Sequence, residues 1–387
     1  MANSYGLKLK MHKQLLAILI ALNWAALTWS SETLNLSADI DALFSDYDSA
    51  DVPGCAIGVI QAGAYLHARG YGSANLEHGI PIDRDSVFRI GSVSKQFTAT
   101  AVAILADRGD LNFDSDVHEY LPDLMEYGAQ VTVRQMIHHL SGMGDYEMTE
   151  VYELSPGKAF RFGNEDYWTI EEFYQRVRKQ PLDLTPMQRF EYSNIAYFLL
   201  SQVVERVSGL TLRAFAEKEL FGPLNMTSTF FNDNVDGVVP HRADGYTPIT
   251  ADTFEILMTN LDWVGDGGVY TTLNDFIKWD RALSAGTIPG GKAVLDLLLE
   301  PEPLTKKTMT SHLLDDGAGY GFGIEMGQFR GRAAHAHTGS WVGFRALYAR
   351  FPEDDVSAIA FCNRDDLVGE EDKRIEFLDL VASTLFK

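Results

Sequence analysis

The stretch Phe88-Arg89-Ile90-Gly91-Ser92-Val93-Ser94-Lys95-Gln96-Phe97-Thr98 decides how the rest of this 387-residue chain is read. Ser92 and Lys95 stand three apart, a spacing that turns both side chains onto one face of a helix. Phe97, Ala101, Ile104 and Leu105 then recur at helical spacing and Gly109 follows, which predicts an amphipathic helix with Ser92 in or beside its first turn. A serine hydroxyl is a poor nucleophile until a base removes its proton, and a lysine one turn away can do so when it is neutral. Desolvation and nearby positive charge both lower a lysine pKa, while a helix N-terminus favours an anion forming beside Ser92. A second S-x-x-K, Ser155-Pro156-Gly157-Lys158, is turn chemistry that does not hold its two ends on a common helical face.

The composition, 46% hydrophobic and 22% charged, excludes a disordered chain and allows one large core or two modest ones. The formal net charge is −22, and beyond residue 30 the chain carries 29 basic against 54 acidic side chains. Such a surface repels nucleic acid and anionic lipid. A basic start, the apolar run Leu15 to Leu27 and small residues at Thr28 and Ser30 read as a secretory leader cleaved near Ser30, with Met1 or Met11 as the start. The run is too short for a membrane span, so a secreted or periplasmic protein is expected. The two cysteines, Cys55 and Cys362, are too few for a disulfide scaffold or a zinc cluster; both lie in strand-like apolar runs, where buried free thiols are expected over a pair.

Strand-like runs at Gly54–Ile60 and Ala64–Gly72 form a hairpin around Gly63, preceded by a short helix marked by Ile40, Leu43 and Phe44. From about residue 112 helical pieces dominate: 131–139, 170–179, 195–207, 212–220, 273–283 and 292–299. The stretch from 230 to 270 reads as loop, with Gly265-Asp266-Gly267-Gly268 its clearest turn. Three strands, His335–Gly339, Phe344–Phe351 and Val356–Cys362, precede a last helix bearing Ile375, Leu378, Val381 and Leu385. This order predicts that both ends of the chain share one antiparallel sheet flanked by helices, an α/β lobe of residues 31–111 and 290–387, with an all-α lobe of residues 112–289 inserted. Residues 31–387 are thus expected to be one catalytic domain, with a site where the lobes meet.

Two further stretches strengthen the serine signal: Arg189-Phe190-Glu191-Tyr192-Ser193-Asn194, and His335-Ala336-His337-Thr338-Gly339-Ser340-Trp341-Val342-Gly343-Phe344. With the Ser92 stretch, with Val133 to Gly142 and with Tyr320-Gly321-Phe322-Gly323, they resemble the serine β-lactamase and penicillin-binding protein superfamily over about Val52 to Cys362. The likeness is closest to class C β-lactamases, exported D-alanyl-D-alanine carboxypeptidases and related esterases. It implies the β-lactamase/transpeptidase-like fold and an acyl-enzyme on a small amide, ester or short-peptide substrate, with no metal or cofactor. By the same resemblance Ser92 is the nucleophile, Lys95 its proton-handling neighbour, and Tyr192 a general base held as a phenolate by Lys95. Asn194 binds Lys95 and the substrate amide, the His337-Thr338-Gly339 strand edge aligns the substrate, and the backbone N–H groups of Ser92 and Ser340 form the oxyanion hole. Which of Lys95 and Tyr192 takes the serine proton stays open, since coupled groups share protons.

His337 stands where class C enzymes carry lysine. Histidine is mostly neutral at pH 7, so a looser grip on a substrate carboxylate and slow penicillin turnover are expected. His335 and His337 face one side of a strand but lack a third clustered ligand, which argues against a metal. His138 and His139 are expected to be structural, while Tyr146 and Trp341 are candidates for lining the cleft or the core. No G-x-S-x-G elbow occurs, which argues against an α/β-hydrolase. A catalytically silent binding or sensor protein on the same fold should lack Ser92, Lys95 or Tyr192, and all three are present.

Overall fold

Apolar runs from the two ends of the chain meet in one antiparallel sheet. The computed structural model describes residues 35–148, 158–162, 167–250, 252–366 and 372–386. The expected leader and Ser155 to Gly157 lie outside the described residues. The seven strands are β1 (Cys55–Gln61), β2 (Ala64–Tyr71), β3 (Gly319–Tyr320), β4 (Glu325–Phe329), β5 (Arg332–Trp341), β6 (Phe344–Phe351) and β7 (Val356–Cys362), in the order β3-β4-β5-β6-β7-β1-β2. The join between the ends is β1 against β7, with Cys55 opposite Cys362 and Gln61 opposite Val356.

Helices cover both faces of this sheet, which explains why β1 and β7 are apolar without alternation. Ala56, Ile60, Ile359 and Phe361 enter one core, with Phe276 and Trp279, while Cys55, Ile57, Val59 and Ala360 enter the other, with Phe44, Phe377 and Leu378. The second core is closed by the two ends of the described chain: residues 35–43, whose Leu36 and Ile40 are buried, and α5 (Lys373–Leu385). On the first face lie α1 (Lys95–Asp107), α2 (Asn194–Ser208), α3 (Leu273–Ala285) and α4 (Gly291–Leu298).

The helix after Ser92 differs from the amphipathic one expected, because it is buried on all sides from Lys95 to Leu105. The inserted helices cover the face that sequence alone assigns to solvent, and its polar side chains are consumed internally. Thr98 Oγ1 donates to the Gly265 carbonyl (2.7 Å), and Gln96 Nε2 donates to the Val93 carbonyl (2.9 Å) while its Oε1 accepts from Trp279 Nε1 (2.6 Å). Phe97 packs against Trp279 and Phe221 with ring centroids 4.9 and 5.2 Å apart, a burial that contributes roughly 2–3 kcal/mol.

The stretch from 230 to 270 is not all loop. Phe230–Phe231 and Val269–Thr271 build a three-stranded sheet with Phe88–Arg89, and Tyr246–Thr250 pairs with Thr253–Ile256. Strands of two to five residues are too short to leave a period. The 131–139 helix shrinks to Val133–Ile137, opened by a Thr132–Gln135 capping box and ended by His139 at φ 57°.

The expectation of free thiols is overturned. Cys55 and Cys362 form a disulfide, their Cα atoms 4.0 Å apart across the β1–β7 pair. Their strand pairing joins positions 307 residues apart, which no local pattern reveals. Because that loop is so long, removing the bond with Cys55→Ala/Cys362→Ala is expected to lower the unfolding free energy by about 2–5 kcal/mol in urea melts, with the fold kept. Thiol titration of denatured, unreduced wild type should find no free thiol; finding two would contradict the pairing.

Candidate active site

The backbone turns sharply before Ser92. Gly91 sits at φ 50°, and Gly91–Ser94 form a 3₁₀ turn that runs into α1. A side chain at Gly91 would put Cβ 2.7 Å from the Ser340 amide nitrogen, and one at Gly339 would put Cβ 2.0 Å from the Ile90 carbonyl oxygen. Only glycine at both positions lets β5 lie directly on the Ser92 turn. Val93, Ser94 and Lys95 are buried, while Ser92 stays partly exposed.

Lys95 is fully buried. Its Nζ donates to Asn194 Oδ1 (2.7 Å) and to the main-chain carbonyl of Asp266 (2.5 Å), and it lies 3.1 Å from Ser92 Oγ. The Asp266 carboxylate is itself engaged by the Tyr146 hydroxyl, so the amine meets the carbonyl of this residue. Burial pulls the Lys95 pKa down to about 8, opposed in part by the charges of Asp266 and then Asp145. A neutral amine has two hydrogens and one lone pair. Asn194 Oδ1 and the Asp266 carbonyl can only accept and so take the hydrogens, which leaves the lone pair for the Ser92 hydroxyl.

Tyr192 and Asn194 flank a helix cap. Ser193 starts α2, its Oγ accepting from the Ala196 N–H (3.0 Å) and donating to the Gly144 carbonyl (2.8 Å). Such a cap stabilises by about 1 kcal/mol and here fixes the residues on either side of it. The Tyr192 ring lies 4.8 Å from Lys95 Nζ, and its hydroxyl is near enough to Ser92 to be influenced by it. Burial pushes its hydroxyl pKa well above the ordinary tyrosine range, an effect partly offset by Ser92. Burial thus works against the phenolate expected from the resemblance. Lys95 Nζ lies over the Tyr192 ring and donates to Asn194 Oδ1 and the Asp266 carbonyl.

The third stretch runs along β5. Pairing with β4 ends at Ala336, whereas pairing with β6 continues to Trp341 opposite Phe344, so residues 337–341 have one edge free of strand partners. The Ser92 turn lies against this edge. His337 points inward and is buried; its Nδ1 faces the Thr338 carbonyl (2.6 Å), so Nδ1 carries the proton and Nε2 accepts from the Tyr320 hydroxyl (3.0 Å). Burial, together with the nearby Lys95, lowers the His337 pKa to about 4, and the ring is neutral at pH 7. Thr338 reaches the cluster through that carbonyl, while Ser340 is exposed beside Gly91. Arg374 from α5 donates to the Gly339 carbonyl (3.2 Å) and the Ala346 carbonyl (2.7 Å), holding β5 from behind.

Several neighbours were not singled out for the site from sequence. His139 stacks on Tyr192 (centroids 4.2 Å, 28° between planes), and its Nδ1 accepts from the Ser193 N–H (3.0 Å). Asp145 Oδ1 accepts from the N–H groups of Tyr146 (2.9 Å) and Asn194 (3.1 Å), and its Oδ2 accepts from Asn194 Nδ2 (3.2 Å). Asp266 sits in the turn legible at 265–268, but nothing in that turn announces a site. Tyr146 is buried against Asp266, and Trp341 stays partly exposed, with Arg89 stacked 4.8 Å over its ring. Among the described residues no cluster of three or more metal-ligating side chains occurs, and no helix is long and apolar enough to cross a membrane.

Comparison with known proteins follows from this geometry. The family model described as Beta-lactamase matches residues 40–383. The chain belongs to the beta-lactamase family. A D-aminopeptidase of Gluconobacter oxydans is 25% identical over 336 residues, covering 86% of this chain and 59% of its own length, so this chain spans only part of that relative. Among solved structures, the octameric penicillin-binding protein homologue from Pyrococcus abyssi superposes with a TM-score of 0.75 at 23% identity, covering 90% of this chain and 77% of the other. A D-amino acid amidase from Ochrobactrum anthropi gives 0.71 at 22% identity, covering 90% and 98%. The fold of the family, an antiparallel sheet with helices on both faces, is the fold of this chain.

The contact of the two glycines yields a prediction. Gly339→Ala is expected to push β5 off the Ser92 turn by about 1 Å and to slow fluorophosphonate labelling at Ser92 by about 100-fold. Circular dichroism should stay native, and an unchanged labelling rate in the folded variant would refute the role given to this approach.

Proposed function

We propose that the chain is a serine hydrolase that transfers an acyl group from a small amide or ester to Ser92 and then to water. The observation that carries this reading is the Lys95 amine, buried, with Asn194 Oδ1 and the Asp266 carbonyl accepting two of its hydrogens and Ser92 Oγ 3.1 Å away. Lys95 takes the serine proton as Oγ bonds to the substrate carbonyl carbon. The carbonyl oxygen, now negative, rests on the N–H groups of Ser92 and Ser340, donors of a kind often worth about 3 kcal/mol each. Tyr192 enters this step as a neutral phenol: it hands its proton to the departing amine or alkoxide and takes one back from the attacking water, while Lys95 keeps the serine proton until it returns it to Ser92 Oγ as the ester bond breaks. Water then attacks the acyl carbon and the same groups run in reverse.

Asn194 orients Lys95 and, with the free edge of β5 at His337-Thr338-Gly339, receives the substrate backbone as an added strand. The substrate class is that of D-aminopeptidases and D-amino-acid amidases, with esters as the alternative. The D-aminopeptidase relative supports this choice, as does the uncharged His337, which offers no cation for the carboxylate of a penicillin. We further propose that residues 31–387 form one catalytic domain and that residues 1–30 direct export, a reading that suits the disulfide, since such bonds persist in oxidising compartments.

The deciding test is intact mass after fluorophosphonate treatment, with Ser92→Ala as control. One adduct on wild type and none on the control is expected; no adduct on folded wild type would leave a binding protein as the better reading. The labelling rate should also rise with pH along a single limb with its midpoint near pH 8, because Lys95 acts only when neutral and about one amine in ten is neutral at pH 7. A midpoint near 10, the ordinary lysine value, would mean that burial does not tune Lys95 as a base. Among D-amino-acid amides, D-aminoacyl peptides, short p-nitrophenyl esters and nitrocefin, turnover of nitrocefin should be the slowest, and its rapid hydrolysis would overturn the substrate assignment.

A further inference from the structure

The proposed reaction needs Asn194 in one orientation, with Oδ1 toward Lys95. An amide has no electronic reason to prefer that orientation over its flipped form, in which Nδ2 would face the amine and repel its hydrogens. Something else must choose. Asp145, a half-buried carboxylate at the start of the Asp145–Met148 strand, meets Asn194 at two points: the backbone N–H at 3.1 Å on Oδ1 and the side-chain Nδ2 at 3.2 Å on Oδ2. A carboxylate can only accept, so it tolerates Nδ2 and rejects Oδ1. Its second duty on Oδ1, the Tyr146 N–H at 2.9 Å, ties the clamp to the segment that also delivers Tyr146 to Asp266.

We infer that Asp145 is a positioning residue of this active site: it locks the Asn194 amide so that Oδ1 holds Lys95 against Ser92, and its negative charge, like that of Asp266, favours the proton on the amine. This rests on the serine-hydrolase reading above. Among the described residues the groups facing Lys95 are Asp145, Asp266 from the 265–268 turn, Tyr192 just before α2, Tyr197 in its first turn, His139 and His337. Burial holds both histidines neutral and raises both tyrosines, which leaves the two aspartates as the charges that favour the ammonium. Of the two, Asp266 offers Lys95 its carbonyl and Tyr146 its carboxylate, so Asp145 is the carboxylate that also bonds a partner of the amine.

Asp145→Asn tests both halves at once, since it is isosteric, removes the charge and places a donor where Asn194 Nδ2 now donates. Two effects are expected. The midpoint of the labelling-rate limb should move down by about one pH unit. The rate on the high-pH plateau should fall about tenfold, because Asn194 flips and releases the amine. In an Asn194→Ala background the plateau effect of Asp145→Asn should largely vanish, which a merely structural role would not produce. A variant with native circular dichroism and wild-type midpoint and plateau would overturn the inference. Labelling can fail for other reasons, so a readout independent of the serine is needed. Titration of the Lys95 ¹³Cε resonance in Ser92→Ala and in Ser92→Ala/Asp145→Asn follows the amine directly. A lower Lys95 pKa in the double variant supports the inference even if no substrate is turned over, and an equal one refutes it even if wild type labels well. Should Asp145→Asn not fold, Asp145→Glu keeps the charge but changes the reach, and is expected to retain the midpoint while losing plateau rate.

Discussion

A lysine amine buried without a carboxylate bonded to it is the constraint from which the rest of this site follows. Desolvating an ammonium is costly, and the usual remedy is a carboxylate at hydrogen-bond distance, which would also keep the proton in place. Here the amine has an amide oxygen and a peptide carbonyl instead. Both satisfy its hydrogens without holding a full charge against it. Asp266 shows the choice within a single residue, because its carbonyl goes to Lys95 and its carboxylate to Tyr146. The aromatic wall of His139, Tyr192 and Tyr197 excludes water while adding no charge of its own.

Keeping that amine dry is the task that the fold performs. Lys95 opens a helix covered on all sides, with the sheet on one flank and α2 on another, so the residue is sealed by elements that arrive from opposite ends of the sequence. Among the described residues the edge of β5 at 337–341 lacks a strand partner, and Arg374 from α5 holds its Gly339 carbonyl from behind. The chain's final helix therefore bears on the geometry at Ser92 through two bonded steps. Loss of that helix would cost the site as well as the core beneath it.

What could be read from the sequence is what is encoded within a few residues. Ser92 and Lys95 lie one turn apart, Tyr192 and Asn194 bracket a capping serine, and His337 to Gly339 lie along one strand; each is visible as a short pattern, and these patterns meet in space. The joining of the two chain ends into one sheet also followed from the order of elements. What stayed hidden depends on pairings across long separations. The disulfide needs β1 beside β7, Asp145 needs the 145–148 strand beside the start of α2, and the role of Asp266 needs a glycine-rich turn folded back onto α1. The state of Tyr192 belongs to the same group. Its phenol is expected to be ionised by a cation near it, whereas burial works against the charge and Lys95 lies over the ring.

His337 leaves the surroundings of Lys95 without a second cation. Its ring is turned inward, bonded to Tyr320 through Nε2 and to the adjoining carbonyl through Nδ1, so both nitrogens are spent inside the protein. A lysine there would be a second ammonium close to Lys95, and like charges would push the pKa of each down. The neutral histidine removes that repulsion, so Lys95 is tuned by burial and by the aspartates around it. With both ring nitrogens bonded inside the protein, His337 presents no positive charge at the 337–341 edge of β5.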